Sequence, residues 1–401
     1  MNETVVRETQ TGPARRWSML GLGVLAQAAG AVFSNAPAFL LPTLQDSHGM
    51  ALSRAGLLVA APTVGFLVSL MAWGVVVDRI GERRVLVTGM AITALAGAGA
   101  ALSSSSLVVT GLFLLLGGMA ASSANAASGR VVIGWFPPQR RGFAMGIRQM
   151  ALPLGVAAAA LTVPRVAQSH GVGWALALPA GVALVAALAC LFVVDPPRPE
   201  RSSARETGLL DNPYRNSGVL WRIHGVSVLL VVPQYLVWTF ALLWLMTDRG
   251  WSAASAGLLI TVTQLLGAAG RIAAGALSDR VGSRMRPLRW VALAAAVSMG
   301  ALALTDWLDS PVSVALLVVA SVITVADNGL AFTAVAEIAG PYWSGRALGA
   351  QNTSQYLAAS LVPPVFGALV GAVSFPVVFA VTALFPLVAA PLVPTDRPER
   401  R

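Results

Sequence analysis

The chain has 401 residues, of which 56% are hydrophobic and only 11% charged, against about 25% charged in an ordinary soluble protein. A mean hydropathy of +0.73 and long apolar blocks exclude a soluble globular fold. The net charge of +10 does not describe a nucleic-acid surface, because the basic residues are all arginine and fall between apolar blocks and at the two ends.

A helix that crosses a bilayer takes about 20 apolar residues. Residues 1–16 are polar and end in Arg15 and Arg16. The uncharged block 17–45 that follows is longer than the ~7–15 residues of a leader's apolar region, so it reads as a first span. Continuing along the chain, spans are expected at 17–40, 55–77, 84–102, 107–132, 142–164 and 172–194, then at 222–246, 253–277, 288–305, 311–335, 345–369 and 374–393. The stretch 85–129 is divided by the polar turn Ser103–Ser106, and 347–395 near Gly371–Pro376. The expected fold is all-α and integral to the membrane, with 12 transmembrane helices in two pseudo-symmetric six-helix bundles, 1–194 and 222–401. The proline- and charge-rich segment 195–221 joins them as a flexible cytoplasmic tether.

Orientation follows from arginine placement. With both termini in the cytoplasm, 21 arginines lie in inside segments and only Arg54, Arg165 and Arg249 outside.

The two halves repeat. At an offset of 201 residues, Ala55–Leu58 matches Ala256–Leu259, and Gly74, Asp78, Arg79, Gly81 and Arg83 match Gly275, Asp279, Arg280, Gly282 and Arg284. At an offset of 203, Asn125, Gly142 and Gly146 match Asn328, Gly345 and Gly349. Parallel repeats of equal helix count suit a carrier whose bundles rock about a central site.

The run Gly74-Val-Val-Val-Asp78-Arg79-Ile80-Gly81-Glu82-Arg83-Arg84 is glycine, three residues, aspartate, basic, any, glycine, any, basic, basic. Its second copy, from Gly275 to Arg286, departs once, with Met285 at a basic position. The pattern resembles the loop signature of the major facilitator superfamily, and the likeness extends over essentially the whole chain. The resemblance implies a gate built from Gly74, Asp78, Arg79, Gly81, Arg83, Gly275, Asp279, Arg280, Gly282 and Arg284. Each aspartate closes the C-terminal end of its helix, where a carboxylate wants an arginine or another helix's N-terminus. Arg130 and Glu337 are expected at the same gate, with Arg130 facing Asp78. In detail, Asn125–Arg130, Gly142–Gln149 and Arg271–Asp279 resemble the bacterial branch that carries cyanate, nitroimidazoles and nitrate or nitrite, in which the arginine matched by Arg271 contacts the anion. Leu114 stands where proton-coupled drug antiporters carry an arginine.

Ionisable residues inside spans are costly and face a cavity or a partner. Arg148, Arg271 and Asp327 stand out, together with the polar residues Gln149, Gln264, Gln351, Gln355, Tyr356, Asn35, Gln234, Trp238 and Asn328. Two arginines on a cavity suit a small organic or inorganic anion, since a guanidinium offers paired donors to a planar oxyanion. The other reading is that the arginines pair with carboxylates such as Asp327 and brace the gate. Asp327 can also carry a proton.

Nothing in the sequence forms a catalytic constellation, and no P-loop is present. The histidines His48, His170 and His224 lie near different helix ends. The expectation is a non-enzymatic secondary transporter of the bacterial cytoplasmic membrane, working as a monomer by symport or antiport without cofactor, metal or nucleic acid. Its partners are a small solute, H+ and the lipid bilayer. The alternative is efflux of neutral or cationic drug-like compounds.

Overall fold

A computed structural model of the chain describes residues 12–46, 52–215 and 217–396. His48 lies outside them, as do the terminal arginines counted above at positions 7, 397, 400 and 401. The described residues are helical throughout, with no strand.

Twelve helices are long and apolar enough to cross a membrane. They are Pro13–Leu40, Arg54–Ile80, Glu82–Leu102, Leu107–Trp135, Pro138–His170, Val172–Cys190, Val219–Thr247, Ala253–Val281, Met285–Trp307, Val312–Ala339, Ser344–Ala372 and Phe375–Leu392, here called spans 1 to 12. Each expected span falls on one of them. Most helices run a turn or so past the apolar core, because charged and polar residues are satisfactory at helix ends even where hydropathy has fallen.

Several spans are interrupted, which hydropathy does not reveal. Span 1 turns into a 3-10 helix at Ala36–Leu40. Span 4 breaks between Leu107–Ala121 and Ser123–Trp135. Span 5 breaks after Pro138–Arg148 and resumes at Ala151. Span 10 breaks between Val312–Ile323 and Asp327–Ala339. Backbone groups freed by a break must find partners inside the protein, so breaks in spans gather polar side chains and commonly mark carrier sites.

The chain forms two compact units. Of the described residues, the first holds those within 12–137, 150–210 and 340–349; the second holds those within 138–149, 211–339 and 350–396. In the first unit, Val32, Phe33, Leu40, Leu58, Val163 and Leu176 pack into a core. In the second, Trp244, Leu245, Met299, Leu302, Phe375 and Phe379 do so. Large apolar side chains such as Leu95, Leu102 and Val297 stay exposed, the pattern of helices whose outer faces meet lipid.

The segment after span 6 is not a loose tether. It carries a short helix, Arg201–Glu206, and is bound at several points within the first unit. Arg83 N–H donates to Asp195 Oδ1 (2.6 Å), Arg198 Nη1 to the Asp78 carbonyl (3.0 Å), and the Trp343 indole to the Leu210 carbonyl (3.0 Å). Composition marks this segment as polar and proline-rich. It does not reveal that Arg198 answers the buried charge of Glu82 at the start of span 3.

Candidate functional site

Span 2 ends in a charged latch within the first unit. Asp78 accepts backbone N–H bonds from Gly345 (2.9 Å) and Arg346 (3.0 Å) at the start of span 11. Those donors have no partner inside their own helix, and a carboxylate at a helix N-terminus is favoured by the dipole. Arg130 binds Asp78 through Nη1, Glu82 through Nε (2.6 Å) and the Pro341 carbonyl through Nη2 (3.0 Å). The pairing of Arg130 with Asp78 read from the sequence is therefore present. Glu82 is fully buried and also receives Arg198 at 3.0 Å. Gly74 lies where a Cβ would stand 2.5 Å from the Gly345 carbonyl oxygen. Arg79 and Arg83 keep exposed side chains.

The second unit carries the counterpart. Asp279 accepts from Gly142 N–H (3.0 Å) and Phe143 N–H (2.8 Å), in the first turns of span 5, and pairs with Arg284 at 2.6 Å. Arg284 reaches both oxygens of Glu337 at 3.2 Å and the Pro138 carbonyl at 2.6 Å. Burial by itself would lower the pKa of Arg284, but Glu337 and Asp279 outweigh it and hold it above the usual arginine value. Arg280 is exposed. Gly81 and Gly282 turn with φ of 92° and 66°, which L side chains adopt only with strain.

Next to this latch, spans 5, 8 and 10 meet. A Cβ on Gly146 would lie 2.7 Å from the Arg271 carbonyl oxygen, and one on Gly329 would lie 3.7 Å from both that oxygen and Gly146. Beyond this seam the second unit buries a polar layer. Arg148 is fully buried at the end of helix Pro138–Arg148, where a cation suits the dipole. It donates to Gln149 Oε1 (3.1 Å) and its guanidinium lies 5.6 Å from the centre of the Phe332 ring. Asp327 opens helix Asp327–Ala339, the end that suits an anion.

Arg271 and Asp327 are 3% and 1% exposed. Among the described residues neither forms an ion pair within 4.0 Å, although each is the opposite charge the other feels. Arg271 Nε and both Asp327 carboxylate oxygens have no hydrogen-bond partner. A buried charge without a hydrogen-bonded counter-charge is expensive, and no contact within 4.0 Å neutralises this pair. Asn328 donates to Gln234 Oε1 (3.0 Å) and accepts from Gln355 Nε2 (3.4 Å). Tyr356 lies within electrostatic range of Arg148, and Tyr235 of Arg271 and Tyr356.

The layer thus gathers Arg148, Gln149, Arg271, Asp327, Asn328, Gln234, Gln355 and Tyr356. Trp238 and Gln264 line a cleft beside it. Gln351 is fully buried, and its amide is taken up by His224 Nδ1 and by Ser227 Oγ (2.5 Å). Asn35 belongs to the first unit and donates to the Ala31 carbonyl at 2.8 Å. Tyr235, Phe332 and Thr324 have no place in the sequence expectations, and His224 figures there only as a histidine near a helix end. Tyr235 and Thr324 had a usable signal, since Tyr235 follows Gln234 and Thr324 precedes Asp327 by three residues. Phe332 had none beyond its position in an apolar helix.

The chain is 51% identical, over 385 residues covering 96% of it and 86% of the relative, to an uncharacterized MFS-type transporter of Mycobacterium tuberculosis. It is 25% identical to a probable sulfoacetate transporter of Cupriavidus necator over 90% of each chain. It is 24% identical to a hexuronate transporter of Bacillus subtilis over 60% of this chain and 59% of that one. Among solved structures, the proton:xylose symporter XylE superposes with a TM-score of 0.75 at 16% identity, covering 95% of both chains. The family model described as Major Facilitator Superfamily matches residues 20–363. With twelve spans, a duplicated latch and these relatives, the chain belongs to the Major Facilitator Superfamily and is a membrane transporter of a small solute.

Proposed function

We propose that the protein is a secondary active carrier of a small organic anion, coupled to protons and working by alternating access. The observation that carries the proposal is the buried, unbridged pair Arg271 and Asp327. An arginine that no carboxylate neutralises is ready to receive the substrate's anionic group. A buried carboxylate that no arginine bridges is relieved of its charge by taking up a proton, which makes Asp327 the coupling residue. Arg148, Gln149, Gln355 and Tyr356 complete the anion end of the site. Gln234 and Asn328 position Asp327 and its helix start. Two relatives described above are named for sulfoacetate and hexuronate, both organic anions. They favour that class over the cyanate and nitrate branch that the sequence motifs resemble.

The working parts are the bundles 1–194 and 222–401 joined by 195–221, with both termini in the cytoplasm of a bacterial inner membrane, as the arginine bias supports. On this reading the Asp78 and Asp279 latches close the cytoplasmic end. They release when substrate and proton shift the balance of states.

Efflux of a neutral or cationic compound is the second reading, favoured by the open carboxylate of Asp327. Transport in proteoliposomes separates the two. Organic anions are expected to be taken up with a pH gradient, with Arg271→Ala abolishing uptake. Asp327→Asn is expected to retain exchange of labelled for unlabelled anion and to lose dependence on the pH gradient. Uptake that survives Arg271→Ala would sink the anion site.

A further inference from the structure

Spans 2, 3 and 4 leave a groove of about 550 Å³ on the outer face of the first unit, inside the ~300–1,000 Å³ range of ligand sites. Ile92 and Leu95 on its rim are exposed, so the groove opens toward lipid. Ala72 and Ala96 make it wide, because small side chains there leave room beside Trp73, Val76 and Phe113. Its two polar side chains are already occupied. The Trp73 indole donates to the Met119 carbonyl at 2.7 Å, and the Ser69 hydroxyl lies 2.9 Å from that carbonyl oxygen and 2.7 Å from Ser122 Oγ. An occupant meets apolar walls and no unmet donor, which suits a hydrocarbon chain.

One end of the groove is charged. On span 2, Ser69, Ala72, Trp73 and Val76 follow the three- and four-residue spacing of one helix face, and Arg79 is the next position on it. On span 3, Ile92 leads back through Thr88 to Arg84 at the same spacing. Arg79, Arg84 and Thr88 are all exposed. The acids of the turn between the spans are engaged elsewhere, Asp78 with Arg130, and Glu82 with Arg130 and Arg198. Among the described residues neither Arg79 nor Arg84 pairs with an acid within 4.0 Å. Ser69 lies about 15 Å from Arg79 along its helix, and Ala96 about 18 Å from Arg84. Both distances are close to half of the ~30 Å hydrocarbon core, so the groove reaches from the arginines to the middle of the bilayer, the depth of one leaflet.

We infer that this face binds one anionic phospholipid, with an acyl chain in the groove and the phosphate at Arg79 and Arg84. Free basic side chains over an apolar groove between spans capture an acidic head group and hold its chain. On the orientation proposed above, the lipid belongs to the cytoplasmic leaflet. Its head group lies against the turn that carries the Asp78 latch, so the bound lipid braces the first unit whichever solute is carried. The site shares no residue with the buried layer around Arg271 and Asp327, and it stands or falls independently of the substrate.

Native mass spectrometry of the purified chain, stripped of lipid in detergent and titrated with limiting lipid, tests this. Phosphatidylglycerol should form a one-to-one complex about ten-fold more tightly than phosphatidylcholine with the same chains, since two arginines select a net negative head group. Arg79→Gln combined with Arg84→Gln should bring phosphatidylglycerol down to the affinity of phosphatidylcholine. Arg79→Lys combined with Arg84→Lys should keep the preference and controls for misfolding. Ala72→Phe, which fills the groove from an exposed position, should weaken phosphatidylglycerol about five-fold by displacing a few buried methylenes, while the lipid-free variant melts as the parent does. Equal binding of the two phospholipids overturns the inference. Diacylglycerol binding as tightly as phosphatidylglycerol overturns it in favour of a site for neutral lipophiles. Glycerol 3-phosphate competing at the concentration of the lipid overturns it in favour of a free-phosphate site. A preference that survives the paired glutamine variant, or binding untouched by Ala72→Phe, puts the lipid elsewhere and overturns it as well.

Discussion

Asp78 and Asp279, equivalent residues of the two repeats, each hold two backbone N–H groups at the start of a helix distant in sequence. Asp78 takes Gly345 and Arg346, and Asp279 takes Gly142 and Phe143. The acceptors keep the 201-residue offset and the glycine donors keep the 203-residue one, so the latch is duplicated as a unit. The arginines are not. Arg130, from span 4, serves Asp78, while Arg284, from the turn after span 8, serves Asp279. The two halves share the helix-end capture and differ in the source of the counter-charge.

Replacing either aspartate by asparagine removes the charge and turns an amide N–H toward one of the two donors. Hydrogen bonds to a charged group are worth about 1.5–3 kcal/mol each. Asp78→Asn should cost the most, because the Asp78 side chain is 1% exposed against 8% for Asp279 and its loss leaves Arg130 in excess. Thermal unfolding of the two variants in detergent checks the order. A larger loss for Asp279→Asn contradicts it.

The close seam between spans 5 and 8 depends on missing side chains. A Cβ on Gly275 would come within 2.6 Å of the Gly142 carbonyl carbon, whereas one on Gly257 of the same helix meets nothing within 4 Å. Gly275→Ala should destabilise the protein by about 1–3 kcal/mol, the usual cost of overpacking. Gly257→Ala should be neutral or stabilise it by up to ~1 kcal/mol through helix propensity. Melting temperatures of the pair provide the comparison, and equal shifts would show that the seam is not tight.

Arg198 is the strongest tie of the inter-bundle segment, reaching both oxygens of Glu82 at 3.0 and 3.1 Å and the carbonyl of Asp78. Glu82 is buried with Arg130 and Arg198 as its counter-charges, so losing one leaves a partly uncompensated charge. Arg198→Ala should free the segment and speed trypsin cleavage at Arg201 and Arg205 several-fold. The native protein should resist cleavage at those two sites. Equal cleavage rates would show that the segment is loose without this contact.

The spans were legible because hydropathy is a statement about solvent, and a bilayer imposes its length on every helix. The latch was legible because Gly74, Asp78 and Gly81 recur in the second copy. Arg148, Arg271 and Asp327 were legible as candidates because charge in an apolar helix is rare. The breaks at Arg148–Ala151 and Ile323–Asp327 were not, since neither carries a proline or a glycine within the break itself. They arise from packing among helices, which no local signal records. The docking of 195–210 was hidden for the same reason. Glu82 occupies a variable position of the loop pattern, and Arg198 sits in a segment whose composition reads as flexible. Their partnership depends on distance in space, not in sequence.

Asp195 supplies a prediction that depends on pH. Burial, together with the neighbouring charge of Glu82, raises its pKa above the ordinary 3.8, against the lowering influence of the Arg83 N–H bond and Arg198. A carboxyl with a raised folded-state pKa binds its proton more tightly folded than unfolded. Its contribution is therefore fully present below pH 3.8 and is lost as pH rises through the higher folded value. At neutral pH the ionised Asp195 is a net cost relative to an uncharged group of the same shape. Asparagine keeps an acceptor for the Arg83 N–H. Asp195→Asn should thus melt at the same temperature as the parent or higher at pH 7, and the difference should shrink as the pH is lowered toward 4. A variant that loses stability at pH 7 and recovers it in acid would reverse the sign and show that the ionised carboxylate is favoured by Arg198 more than burial disfavours it.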